Sequence, residues 1–131
     1  MKSAPKIATT GAFKFVVGSD HAITFAGGGM PAALSTPSMI GVIERTARES
    51  LQPFVKANEH TVGMEIELRH LAPTLPGAGV TITRRVLHTD GREISFPMNA
   101  RNTEEFIARG AYKRAVVRAG GLAHRAARKT G

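Results

Sequence analysis

Leu34-Ser-Thr-Pro-Ser-Met-Ile-Gly-Val-Ile-Glu44 reads as the opening of a helix. Thr36 is expected to cap it and Pro37 to occupy its first turn, where a missing N–H does no harm. Ile40, Ile43, Ala47 and Leu51 recur at spacings of three and four, the apolar stripe of a helix that runs to about residue 55, disturbed near Pro53. Glu44 falls inside that stripe by its spacing from Ile40, Ala47 and Leu51, while Arg45, Arg48, Glu49 and Gln52 mark a more polar side.

The stretch Thr61-Val-Gly-Met-Glu-Ile-Glu-Leu-Arg-His70 has period two instead. Val62, Met64, Ile66, Leu68 and His70 are expected on one face, with Glu65, Glu67 and Arg69 on the other. Pro73 and Pro76 end the strand. Further out, Phe13, Phe15 and Val17 alternate as a short first strand. Val80, Ile82 and Val86 mark another, and Arg92, Ile94, Phe96, Met98 and Ala100 the next. Asp90-Gly91 is the hairpin signal between these two. Pro97 suggests a bulge or an edge position, and a final strand over 104–118 is expected to bulge at Gly110. Residues 18–35 read as a loop. Its Gly27-Gly28-Gly29 is no phosphate loop, because no Gly-Lys-Ser/Thr follows, and it serves as a flexible connection or as a flap beside a site.

This order implies an α+β domain spanning residues 1–131, with a loose leader over 1–11 and a frayed tail over 119–131. One long helix must cover a largely antiparallel sheet, whose edges need protection, and dimerisation by sheet extension would supply it.

Composition narrows the function classes. The chain has no cysteine, which removes disulfides, thiolate nucleophiles and cysteine metal sites. His21, His60, His88 and His124 lack ligand spacing, so no metal is expected. No apolar run approaches a membrane span and no signal-type stretch opens the chain, so the default is a cytoplasmic protein without membrane association. The net charge of +8 is uneven: residues 1–105 carry 11 Lys+Arg against 10 Asp+Glu, and residues 106–131 carry 7 basic residues and no acid. That strip would attract phosphates.

If the helix packs on the sheet, Glu44 and His70 lie on faces that meet. Burial would neutralise both groups and close pairing would keep both charged; either way the pair is perturbed, as acid–base catalysts require. Thr36, about two turns before Glu44, offers a hydroxyl, and the free N–H groups of the helix start could hold an oxyanion. Each residue taken singly also has a plain structural alternative: a snorkelling boundary glutamate, a satisfied strand-end histidine, a helix cap. Gly77 after Pro76 either permits a tight turn or lets a substrate approach the backbone. No Gly-x-Ser-x-Gly elbow supports a serine hydrolase.

The segments around Thr36, Glu44, Thr61-Val-Gly63 and Arg69-His-Leu-Ala-Pro-Thr74 with Gly77 resemble the hot-dog-fold thioesterases of the fluoroacetyl-CoA thioesterase type. The likeness extends through Asp90-Gly-Arg-Glu-Ile-Ser-Phe96 and Ile107-Ala-Arg-Gly-Ala-Tyr-Lys-Arg-Ala-Val-Val117, covering about residues 12–118. The resemblance implies a hot-dog fold, a helix wrapped by an antiparallel sheet. It implies a homodimer, or a higher homo-oligomer built from it, with sites at the dimer interface. The implied reaction is hydrolysis of an acyl-CoA thioester, with Thr36, Glu44 and His70 as the catalytic residues and Gly77 contacting substrate. Glu44 would attack the carbonyl or activate water. No cofactor is implied, since CoA is part of the substrate. Lys113, Arg114 and Arg118 are the candidate cations for its phosphates, or merely solubilising charges. A small acyl-CoA is the expected substrate; because Gly110-Ala-Tyr-Lys-Arg114 departs from the Gly-Thr-His-x-Arg of relatives, and the glycine-rich loop from a bulkier flap, fluoroacetyl specificity is not carried over.

Two other functions compete with hydrolysis. A non-catalytic acyl-CoA binding or regulatory protein of the same fold would bind CoA esters without turnover. A basic nucleic-acid binder would show steep salt dependence, but seven aromatic residues give it little stacking surface.

Overall fold

The computed structural model describes residues 1, 5, 10–86 and 88–130. The leader expected over residues 1–11 lies mostly outside the described residues. The elements run β1 (Thr10–Val16), α1 (Thr36–Leu51), β2 (Glu59–His70), β3 (Gly79–Arg85), β4 (His88–Asp90), β5 (Glu93–Arg101), β6 (Phe106–Arg118) and α2 (Ala119–Thr130). The strands form one antiparallel sheet in the order β1-β3-β5-β6-β2, with β4 beside β5. This is the α+β arrangement expected from one long helix and a run of strands.

Helix α1 begins one residue earlier in its capping than the sequence suggests. Ser35, not Thr36, is the N-cap: its backbone is extended and its hydroxyl accepts from Ser38 N–H at 3.1 Å. Thr36 is the first helical residue and its hydroxyl is released from capping. The α-helix stops at Leu51, and Pro53 sits in a 3₁₀ turn that follows, since a proline cannot donate to the helical ladder. The buried face is Met39, Val42, Ile43, Thr46, Ala47 and Leu51. It packs with Val80, Ile82, Ile94, Phe96 and Ile107 of the sheet into one core. Burial of this apolar face, at roughly 25 cal/mol per Å², is what holds helix to sheet.

Strand β2 departs from strict alternation. Its register with β6 passes from Gly63↔Arg114 to Glu65↔Lys113, which makes Met64 the extra residue of a β-bulge. One extra residue inverts the side-chain parity. Thr61 and Gly63 therefore share the inward face with Ile66, Leu68 and His70, whereas Met64, expected beside His70, is exposed.

Pro97 is neither at a bulge nor on an edge strand. It falls in the gap where the pairing of β5 with β3 ends at Met98 and that with β4 begins at Ser95, so no ladder bond on that side is lost. Gly91 closes the β4–β5 hairpin with φ +55°, as the Asp-Gly signal predicts. The bulge expected at Gly110 lies instead at Ile107, between Ala100↔Ala108 and Arg101↔Phe106. Gly110 keeps register for a different reason: a Cβ there would lie 1.8 Å from the Glu67 carbonyl oxygen. The tail expected to fray is helical over Ala119–Thr130, in keeping with its alanine, leucine, arginine and lysine content.

Candidate active site

Helix α1 lies along the edge strand β2, and the two run in opposite directions, so the start of the helix meets the end of the strand. There the Thr36 hydroxyl lies 2.8 Å from His70 Nδ1. Freed from capping by Ser35, that hydroxyl is available to the imidazole. The direction of the shared proton is set by the ring tautomer. The other ring nitrogen, Nε2, is buried without a hydrogen-bond partner among the described residues. Burial pushes the His70 pKa below its ordinary value of 6.5, with a backbone contact to Ala72 pulling the other way. The lowered pKa favours the neutral imidazole, with Nδ1 engaged by Thr36.

Glu44 stands eight residues along the same helix, about 12 Å further on. It is not within the buried stripe, as its spacing suggests. The stripe is centred on Met39, Ile43, Thr46 and Ala47, and this rotation leaves the Glu44 side chain 49% exposed at its border. Its carboxylate meets the sheet at Gly63, where any larger residue would be crowded: a Cβ would lie 3.3 and 3.4 Å from the two carboxylate oxygens and 3.0 Å from the Tyr112 hydroxyl. Arg114 Nη1 lies 3.9 Å from Glu44 Oε2. Among the described residues no hydrogen bond or ion pair joins Glu44 to His70. One chain therefore brings Thr36 to His70, and Glu44 to Gly63, Tyr112 and Arg114, as two neighbouring groups along one helix.

The three candidate cations separate. Arg114 is a correction to the sequence reading: it is 2% exposed, points to the inner face and bonds Thr61 and Tyr112, so it does not face a phosphate in solution. Lys113 lies on the opposite face of β6, half-buried, and Arg118 is exposed at its end. Sequence reasoning also passes over Tyr112. The signal is present: Tyr112, Arg114 and Val116 alternate on the inward face of β6, and an arginine in such a row is as conspicuous as a glutamate on the helix.

Gly77 has φ +92° in an exposed turn whose N–H bonds the Val17 carbonyl at 2.8 Å, a conformation that favours glycine. His21 makes a turn rather than a site, accepting from Gly18 N–H at 2.9 Å and meeting Phe15 edge-on. The loop before α1 is a tied hairpin, with bridges Ala22↔Leu34 and Gly27↔Met30 and Gly27, Gly28 and Gly29 all at positive φ. Its returning strand leads directly into Ser35 and Thr36, and exposed Phe25 and Met30 lie near its tip. A cavity of about 990 Å³ opens against Glu67, Arg69, Pro97 and Arg109 on the outward face of the sheet, and Thr36, Glu44 and His70 do not line it. No group of three or more potential metal ligands occurs among the described residues, and none of the described helices is long and apolar enough to cross a membrane.

Residues 16–120 match the sequence model of the FlK family, fluoroacetyl-CoA-specific thioesterases. The chain belongs to this family. It is 30% identical over 87 residues to the fluoroacetyl-CoA thioesterase of Streptantibioticus cattleyicolor, an alignment covering 66% of this chain and 63% of that relative. The chain thus spans less than two thirds of the length of that relative. Among solved structures, the fold is similar to that of the fluoroacetyl-CoA thioesterase FlK, with a TM-score of 0.89 and 23% identity, over 98% of this chain and 100% of the other. A thioesterase superfamily member of Thermus thermophilus superposes with a TM-score of 0.86 at 25% identity, over 99% and 96% of the two chains. A hot-dog-like protein from Thermanaerovibrio acidaminovorans gives 0.86 at 24%, over 95% and 93%. This FlK-family chain has the hot-dog fold, its helix α1 held against the antiparallel sheet.

Proposed function

We propose that this FlK-family protein is a thioesterase that hydrolyses a small acyl-CoA thioester to the free acid and CoA. The observation that carries the reading is the 2.8 Å contact between Thr36 and His70 at the start of a helix that presents Glu44 two turns later. A hydroxyl, a neutral imidazole and a half-exposed carboxylate are the groups that acyl transfer to water requires.

The Glu44 carboxylate either takes a proton from water as that water attacks the thioester carbon, or attacks it directly to form an anhydride that water then cleaves. In both routes the C–S bond breaks and the leaving thiolate ends protonated as CoA. In the first, water supplies the new oxygen of the product acid. In the second, Glu44 gives its attacking oxygen to the acid and regains one from the water that cleaves the anhydride at the Glu44 carbonyl. Thr36 orients the imidazole, and His70 assists proton transfer and holds the water. Because Pro37 has no N–H, Ser38 N–H is taken by the Ser35 hydroxyl and Met39 N–H by the Ser35 carbonyl, the Thr36 N–H is the first-turn donor left to stabilise the oxyanion. No cofactor enters, CoA being part of the substrate. Gly77 borders the acyl-CoA, and Lys113 and Arg118 attract its phosphates.

The functional unit in this reading is a homodimer. β2 is an edge strand of twelve residues, and Leu71, Leu75 and Phe106 are exposed. Long unpaired edges seek a partner. Pairing two such edges would seat a second chain beside the strand that carries His70. A cytoplasmic location, where acyl-CoA is found, accompanies the proposal.

Release of free thiol from a panel of short acyl-CoA esters tests it. Glu44→Ala and His70→Ala should each lose most of the rate with the fold intact; full rates in both would sink the assignment. A single turnover in ¹⁸O water separates the routes, because only direct attack leaves label on Glu44.

A further inference from the structure

We propose that Tyr112 and Arg114 are positioning residues for Glu44, a buried phenol–guanidinium couple that fixes the carboxylate over Gly63. The inference rests on the thioesterase reading, in which Glu44 does the chemistry.

Three elements converge on this spot. From β6, the Arg114 guanidinium is immobilised by β2: Nε donates to Thr61 Oγ1 at 3.0 Å and Nη2 donates to the Thr61 carbonyl. Its Nη1 donates to the Tyr112 hydroxyl. An arginine stays charged in a protein, and a buried charge without a counter-charge is costly. Among the described residues the carboxylate within ion-pair distance is Glu44, from α1, at 3.9 Å. At that distance, and with Glu44 half-exposed, the pair adds little to stability. Its effect is on where the carboxylate sits.

Tyr112 supplies the second constraint. Its ring is buried and stacks on Phe96 with centroids 6.3 Å apart. Because the oxygen accepts from Arg114, the phenolic proton remains to be donated. Burial raises the Tyr112 pKa, Arg114 opposing the shift and Glu44 adding to it, so the hydroxyl keeps its proton at neutral pH. From β2 comes the third constraint, a glycine. The Tyr112 hydroxyl and both Glu44 oxygens border one point above the Gly63 Cα, 3.0, 3.3 and 3.4 Å from where a Cβ would stand. Phenol and carboxylate share a seat that a side chain would contest.

The test uses the full chain and whichever short acyl-CoA ester the wild-type protein turns over fastest. Tyr112→Phe removes one oxygen and one donor. It should lower kcat by about tenfold with KM and melting temperature little changed. Arg114→Gln should do the same more strongly, and Gly63→Ala should lower kcat by crowding the seat. Should Arg114→Gln not fold, Tyr112→Phe carries the test alone. Wild-type kcat in Tyr112→Phe, while Glu44→Gln abolishes turnover, overturns the inference. A kcat loss that tracks a falling melting temperature, or a loss that falls on KM instead of kcat, also overturns it, since the first is scaffolding and the second is binding. Full turnover by Glu44→Gln is a different result: it removes the proposed role of Glu44, and this inference with it.

Discussion

The Thr36 hydroxyl lies 2.8 Å from His70 Nδ1, and it can do so because Ser35, its neighbour, has taken over the capping of helix α1. Two adjacent hydroxyls thus divide two tasks, one closing the helix start and the other reaching across to the strand.

That division is measurable. Ser35→Ala removes a cap and should cost about 1 kcal/mol of stability in urea unfolding, with kcat nearly unchanged. Thr36→Ala should do the reverse, losing about tenfold in thiol-release kcat with a smaller stability change, and Thr36→Ser should restore most of the rate. Equal stability losses with no rate difference would return the cap to Thr36.

The pH dependence follows from His70. Its folded pKa is lowered by burial, so the unfolded chain binds the proton more readily than the folded one. Stability therefore rises with pH from the folded value up to about 6.5 and is flat above it as far as this group is concerned. His70→Gln should flatten that part of the pH–stability curve. An NMR titration should find the imidazole neutral at pH values where an exposed histidine is half protonated.

Gly110→Ala should be far more damaging than an ordinary surface change. The new Cβ would lie 1.8 Å from the Glu67 carbonyl oxygen and 3.0 Å from the Leu68 Cα, both backbone atoms of β2. Moving a strand that is paired along its length costs about 3 kcal/mol or more, seen as a lowered melting temperature. Because β2 carries His70 two residues beyond Leu68, thiol-release activity should fall with it.

Charge reversal at Lys113 and Arg118 should separate binding from chemistry. Lys113→Glu with Arg118→Glu should raise KM for acyl-CoA by about fivefold and leave kcat nearly constant, the effect shrinking in salt. An unchanged KM would reduce these cations to solubilising charges.

Much of the fold is legible in the sequence because its signals are local. The three-and-four spacing after Pro37 predicts α1, the alternation of Ile94, Phe96, Met98 and Ala100 predicts β5, and Asp90-Gly91 predicts its hairpin. The candidate site residues stand out as polar intruders in apolar patterns, though Arg114 passes for a surface cation until its inward parity is followed through β6.

What the sequence by itself determined is most of the main elements and where the candidate residues fall in them: a proline-led helix with Glu44, a strand ending in His70, and membership in a family of thioesterases, but not β4 or α2. What only the tertiary structure decided is which of these groups touch. The bulge at Met64 turns Gly63, not Met64, toward the helix; the cap at Ser35 releases Thr36; the pairing of β2 with β6 sets Arg114 across from Gly63. The physical reason is range. Periodicity reports the face a residue takes within its own element, whereas bulges, caps and register depend on competition among backbone groups far apart in the chain, and one residue of slippage exchanges the two faces of a strand.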